Sequence, residues 1–236
     1  MSRSTADWLL RLEADAWVMR TPAGVWRQTH GGMPAPELER LAGDMPARGT
    51  SLQVVLGDGW LRYLVLRWPP SVRPGEERAA YLAHRFREVH EATESNWVFA
   101  LDRDAVDFPV LACAAPASLL AALQVFTQAR ELRLDSVTGD FVDRFNRLQR
   151  SFNETPGTLA ALALVRDGRL TVGLWRDGEW QAVHCRMLGE DGPAALGHML
   201  AGWHAELSPA QTGVLYVYGI VPVDCANWRV VQGDFQ

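Results

Sequence analysis

A chain of 236 residues that is 48% hydrophobic and 22% charged can bury a core, as one large domain or two small ones; it is not a disordered chain. The net charge of -5 argues against a nucleic-acid-binding role, because phosphate binding wants a basic face. Every basic residue is arginine, which excludes a Schiff-base lysine, a P-loop lysine and a kinase-type catalytic lysine.

The first 29 residues read as a three-stranded meander: Trp8–Leu12, a turn at Glu13-Ala14-Asp15, Ala16–Arg20, a turn at Pro22-Ala23-Gly24, then Val25–Thr29. The N-terminus has no apolar h-region, so no signal peptide is expected. Pro36 and Gly43 bound a short helix over Glu37–Leu41. Leu52–Leu56 is a continuous apolar run, as buried parallel strands have. Gly57-Asp58-Gly59 turns into a strand over Trp60–Trp68, ended by Pro69-Pro70.

Pro74 starts a helix whose Ala79, Leu82, Phe86 and Val89 share one face, leaving Arg85, Glu88 and Glu91 in water. Trp97–Leu101 is a strand and Asp102–Asp107 a charged loop. Val110–Phe126 is the most apolar long window, but Pro116, Ser118 and Gln124 break it into strand, turn and helix rather than a membrane span. Leu132–Val137 is the next strand, and the spacing predicts a right-handed parallel crossover from Val110–Ala114. Asp140 caps a helix with a stripe of Phe141, Phe145, Leu148 and Phe152. Pro156-Gly157, in a polar stretch, marks the division between two halves.

Leu159–Met187 is the clearest pattern in the chain. Asp167-Gly168 and Asp177-Gly178 are strong hairpin signals, since a type I′ turn needs positive φ at both central residues. Between them Leu170, Val172 and Leu174 alternate with Thr171, Gly173 and Trp175. Gly192-Pro193 starts a helix with Leu196, Met199, Leu200 and Trp203 on one face, ended by Ser208-Pro209. Val214–Tyr218 is a strand and Trp228–Val231 a last edge strand. Meander, helix, strand thus occurs twice, giving an α/β chain divided into 1–153, with an insert over about 60–108, and 154–236.

Local signs of catalysis are weak. Cys113, Cys185 and Cys225 form no CxxC, so neither a zinc site nor a disulfide framework is expected, and a reducing compartment fits. His84, Glu88 and Glu91 have helical spacing, which a solvated polar face explains as well as a metal does. His198 and His204 are six apart on a helix and do not share a face; His184 and Cys185 are strand neighbours on opposite faces. Glu13, Asp15, Asp58 and Asp102 form a conceivable carboxylate cluster for two metals, yet the three aspartates are each explained by an adjacent turn.

The residues Leu52-Gln-Val-Val-Leu56, Tyr63-Leu-Val-Leu-Arg-Trp-Pro-Pro70, the helix Arg78–Glu91, Asn96-Trp-Val-Phe-Ala100 and Val110-Leu-Ala-Cys-Ala-Ala-Pro-Ala-Ser-Leu-Leu120 carry a resemblance in their order and spacing. The chain resembles the PilM/GspL-type cytoplasmic proteins of type IV pilus and type II secretion machines. That resemblance implies a degenerate actin-like ATPase fold, two ribonuclease-H-like halves with a small α+β subdomain inserted in the first. The second half is shorter than in PilM.

Active members bind phosphate with two hairpins bearing Asp-x-Gly. Here the first hairpin, Leu12-Glu-Ala-Asp-Ala-Trp17, lacks glycine, the second, Leu164-Val-Arg-Asp-Gly168, reads as an ordinary turn, and the adenosine-side Gly-Gly is reduced to Gly219. No cofactor, metal or catalytic residue is therefore expected, and GspL-like members show a similar loss. The resemblance implies a cytoplasmic scaffold, peripheral to the inner membrane, that binds the tail of a PilN-like single-span subunit and contacts the assembly ATPase. It places Trp60, Tyr63, Arg67 and Trp68 along the groove, between insert and first half, in which that tail docks. Their mixture of Trp, Tyr and Arg is that of interface hot spots, although most tryptophans are core residues. The alternatives are an ATPase or kinase that keeps its nucleotide, and an interaction domain of some other assembly.

Overall fold

The computed structural model describes residues 8–21, 24–38, 41, 48–90, 96–102, 107–189, 192–207, 212–219 and 225–233. In chain order, β1 (Trp8–Leu12), β2 (Ala16–Thr21) and β3 (Gly24–Thr29) lead to α1 (Pro34–Leu38) and β4 (Ser51–Leu56). Then follow a 3-10 turn (Asp58–Trp60), β5 (Arg62–Leu66), α2 (Glu76–His90), β6 (Trp97–Leu101), β7 (Val110–Pro116), α3 (Ala117–Ala129), β8 (Arg133–Gly139) and α4 (Asp140–Leu148). The last elements are β9 (Leu159–Arg166), β10 (Arg169–Arg176), β11 (Glu179–Met187), α5 (Gly192–Leu207), β12 (Gly213–Tyr218) and β13 (Trp228–Gln232).

The chain packs as two compact units, Met1–Leu61 with Asn96–Val98 and Ala114–Asn146, and Arg62–Ser95 with Phe99–Cys113 and Arg147–Gln236. Most of the insert expected in the first half by chain order therefore packs within the second unit.

The first unit is built on a sheet of order β3-β2-β1-β4-β8. The meander is antiparallel, β4 runs parallel to β1, and β8 parallel to β4. Leu10, Leu12, Trp17, Leu52 and Val54 are fully buried, and Leu119, Leu123 and Phe126 of α3 complete this core with Leu38 of α1. Trp17 buries its whole ring because its indole N–H has an acceptor, the Pro34 carbonyl at 2.8 Å. α1 begins at Pro34, three residues ahead of the expected start, since the earlier proline takes the first helical position, where a missing N–H costs nothing.

Asp140 opens α4, but its buried carboxylate pairs with Arg11. A side-chain acceptor for the first turn comes from Asp58, whose Oδ1 takes the Phe141 N–H at 3.1 Å from 83 residues away.

The second unit repeats the plan, with sheet order β11-β10-β9-β12-β13. β9, β10 and β11 form the antiparallel meander, and β12 and β13 add in parallel. Asp167 and Gly168 have φ of 51° and 68°, and Asp177 and Gly178 52° and 77°, as type I′ turns require. β9 is central and buried on both faces from Leu159 to Leu164. One face packs Ala161, Ala163, Val172, Leu174, Leu215 and Val217 against Leu196 and Leu200 of α5. On the other lie Trp175 and Tyr216, whose rings meet Phe152 at 5.1 and 4.5 Å. Phe152 therefore belongs to the second core and not to the α4 stripe, because α4 stops at Leu148.

The insert forms a three-stranded sheet of order β5-β7-β6. This corrects the expected crossover: α3 joins β7 to β8, but the two strands lie in different sheets. β7 is apolar on both faces and takes a central position, whereas β8 exposes Arg133, Asp135 and Ser136 and suits an edge. The α2 face is also rotated from expectation. Arg78, Leu82 and Phe86 are buried, while Ala79 and Val89 are exposed. Aromatic contact decides this: the Arg78 guanidinium lies 5.2 Å from the Trp68 ring, and Phe86 meets Phe99 at 5.0 Å. The Ser208-Pro209 stop, the Pro22-Ala23 turn and Glu91 lie outside the described residues.

Candidate partner-binding site

At the β1–β2 turn the backbone groups of Glu13 are engaged on both sides, while the Asp15 side chain stays exposed. Glu13 N–H closes the turn onto the Ala16 carbonyl at 2.8 Å. The Glu13 carbonyl accepts from Trp60 Nε1 at 3.1 Å and lies 3.2 Å from His30 Nε2. His30 Nδ1 accepts the Gly32 N–H at 3.1 Å, so the ring proton sits on Nε2 and is donated to that carbonyl. Above the turn the Arg27 guanidinium bridges both side chains, Nη1 to Glu13 and Nη2 to Asp15. The two carboxylates raise the Arg27 pKa further, through hydrogen bonds first and charge second. Both carboxylates of the turn thus face one arginine on β3, the strand beside β2.

Of the residues expected to meet a partner, Trp60 is half-buried in the 3-10 turn, its ring edge against His30 with centroids 5.4 Å apart. Arg67 is exposed, donating to the Asp107 carbonyl at 3.0 Å and pairing with Glu179 at 3.1 Å. Tyr63 and Trp68 are buried, with 3% and 4% of their surface accessible. Tyr63 offers its carbonyl to His90 Nε2 at 2.9 Å, and Trp68 packs on Tyr81 and Arg78. Burial makes these two supports for the segment rather than contact surface. The buried Trp68 indole N–H has no acceptor among the described residues, an orphan donor of the kind that asks for an explanation.

A second feature escaped the reading of the sequence. In the second unit, His184 and Arg186 of β11 face Ala195, His198, Met199, Gly202, Trp203 and Glu206 of α5 across a cleft of about 520 Å³. Two residues apart on a strand, His184 and Arg186 share a face; 195, 199, 202 and 206 do so on a helix. Loss of water, then the charges of Arg186 and His90, hold the His184 pKa below its ordinary value, though much of the residue stays accessible. The signal was present in the two spacings; what joins them is the pairing of strand and helix.

The other candidates separate. Glu13 and Asp15 face Arg27, Asp58 holds α4, and Asp102 Oδ1 accepts the Leu111 N–H at 2.9 Å, so no carboxylate cluster forms from them. His84 lies 3.4 Å from Glu88, which also takes Arg85 at 2.7 Å. Among the described residues no group of three metal-ligating side chains is found.

Two sheets of identical strand order, each an antiparallel meander extended by parallel strands, define the duplicated ribonuclease-H-like, actin-like ATPase fold. Solved structures share it. A Bacteroides thetaiotaomicron VPI-5482 protein with actin-like ATPase fold and unknown function matches with a TM-score of 0.60 and 12% identity, over 91% of this chain and 82% of its own. A chain of the PilM–PilN type IV pilus biogenesis complex matches at 0.57 and 13%, over 90% and 81%. The cytoplasmic domain of EpsL, an inner-membrane component of the Vibrio cholerae type II secretion system, matches at 0.50 and 15%, over 96% and 89%. No family model matches the sequence, and no curated protein does. At these identities the likeness establishes the fold.

Proposed function

We propose that this chain is a non-catalytic adaptor on the cytoplasmic face of an inner membrane. It would hold the cytoplasmic tail of a single-span, PilN-like subunit of a type IV pilus, type II secretion or DNA-uptake platform, and touch the assembly ATPase. The observation that carries the reading is Arg27 bridging Glu13 and Asp15 at the turn where an actin-type ATPase would cradle phosphate. The PilM–PilN and EpsL structures support it through their shared fold. In the described residues no helix is long and apolar enough to cross a membrane, so association through a partner is the route this reading uses.

The tail is assigned to the segment carrying Trp60, Tyr63, Arg67 and Trp68. Trp60 and Arg67 supply surface, Tyr63 and Trp68 the rigid backing, and the orphan Trp68 donor supports a functional reading of the segment. Calorimetry with Mg-ATP tests the first half of the proposal: no saturable heat is expected, and micromolar binding would establish the ATPase or kinase alternative instead. Co-purification with a PilN-like single-span inner-membrane protein tests the second. Charge reversal at Arg67 should weaken that capture, and unchanged capture by R67E would remove this segment from the site.

A further inference from the structure

We infer that the cleft between β11 and α5 is a binding site for an apolar carboxylate, independent of the adaptor reading. It is an open groove of about 520 Å³, wide enough to seat a small ligand along the strand and helix. The walls divide by chemistry. Ala195, Met199 and the half-buried Trp203 line the apolar part, beside the exposed Gly202. The Trp203 and His184 rings pack together, centroids 5.3 Å apart and tilted by 40°. Such a wall takes an aliphatic or aromatic body.

The polar part holds one arginine, one glutamate and two histidines. Arg186 is permanently charged, and His184 and His198 add two imidazoles against the one carboxylate of Glu206. Among the described residues the Arg186 guanidinium pairs with no carboxylate. The guanidinium is a planar fork of donors, and its geometry favours a carboxylate in two-point contact. A neutral or cationic ligand of the same shape would leave these donors unanswered.

The test is an NMR titration of the full chain with 4-phenylbutyrate, with its amide as the neutral isostere. Saturable shifts are expected at residues 184–187 and 195–206, complete by about 10 mM, with the amide about tenfold weaker. Arg186 is exposed, so R186Q keeps the fold, which its spectrum verifies, and should weaken the acid about tenfold while leaving the amide unchanged. A capped peptide, acetyl-Phe-Glu-Leu-amide, distinguishes the sources: binding equal to that of 4-phenylbutyrate assigns a peptide-borne carboxylate, and weaker binding a free acid. Absence of saturable shifts with both acids, equal binding of acid and amide, or an R186Q variant that binds the acid undiminished would each overturn the inference.

Discussion

Asp58 shows how much one buried carboxylate can hold. It joins the 3-10 turn after β4 to the first turn of α4, 83 residues on, through the Phe141 N–H. Asp58→Ala leaves that donor without its side-chain acceptor and should cost about 1–2 kcal/mol in urea unfolding. A change within a few tenths would show the hydrogen bond to be dispensable. Arg27 is the opposite case. Its partners are as close, but its side chain is 47% exposed and that of Asp15 68%. Arg27→Ala should therefore move stability by less than about 1 kcal/mol, and less still in high salt.

The histidines set a pH dependence. Loss of water holds His90 below its ordinary pKa, with Arg62 adding and the hydrogen bond to Tyr63 opposing; His184 is lowered by loss of water, then by Arg186 and His90. The unfolded chain then takes up protons at higher pH than the folded one. Stability is whole above about pH 6.5 and declines as pH falls through that value. Urea midpoints at about pH 7.5 and 5.5 should differ in the native chain and differ less in H90Q. Equal midpoints in the native chain would mean that the two rings titrate as they do in water.

The hairpins and α2 test the account of the elements. Gly178 holds φ of 77° in the β10–β11 turn, so Gly178→Ala should destabilise by about 1 kcal/mol or more. The rotated face of α2 gives a sharper contrast. Phe86 is 3% exposed and Val89 49%. Phe86→Ala should cost about 3–5 kcal/mol, whereas Val89→Ala should stay within about 0.5. Hydrophobicity alone ranked both as core. It left out Arg78, which buries its length by lying over Trp68. If Val89→Ala is as costly as Phe86→Ala, the helix faces the way its apolar pattern first suggested.

Across the whole molecule, the repeated architecture was open to reading from the residues alone. Asp-Gly turns and alternating strands are local, so the second meander appears in the sequence as it does in space. The two five-stranded sheets follow from such local signals and from the burial that parallel strands require. Tertiary structure alone decided what depends on competition between distant partners. β7 had an apolar run that suited either sheet, and only the polar surface of β8 settled which strand took the open edge of β4. Phe152 had a helical spacing from α4 and a better place against Trp175 and Tyr216. The cleft of Arg186 and Trp203 belongs to the same class, because its two walls are ordinary surfaces until strand and helix are brought face to face. Spacing along a chain specifies which side chains share a face; which faces meet is set by the burial that the finished packing achieves.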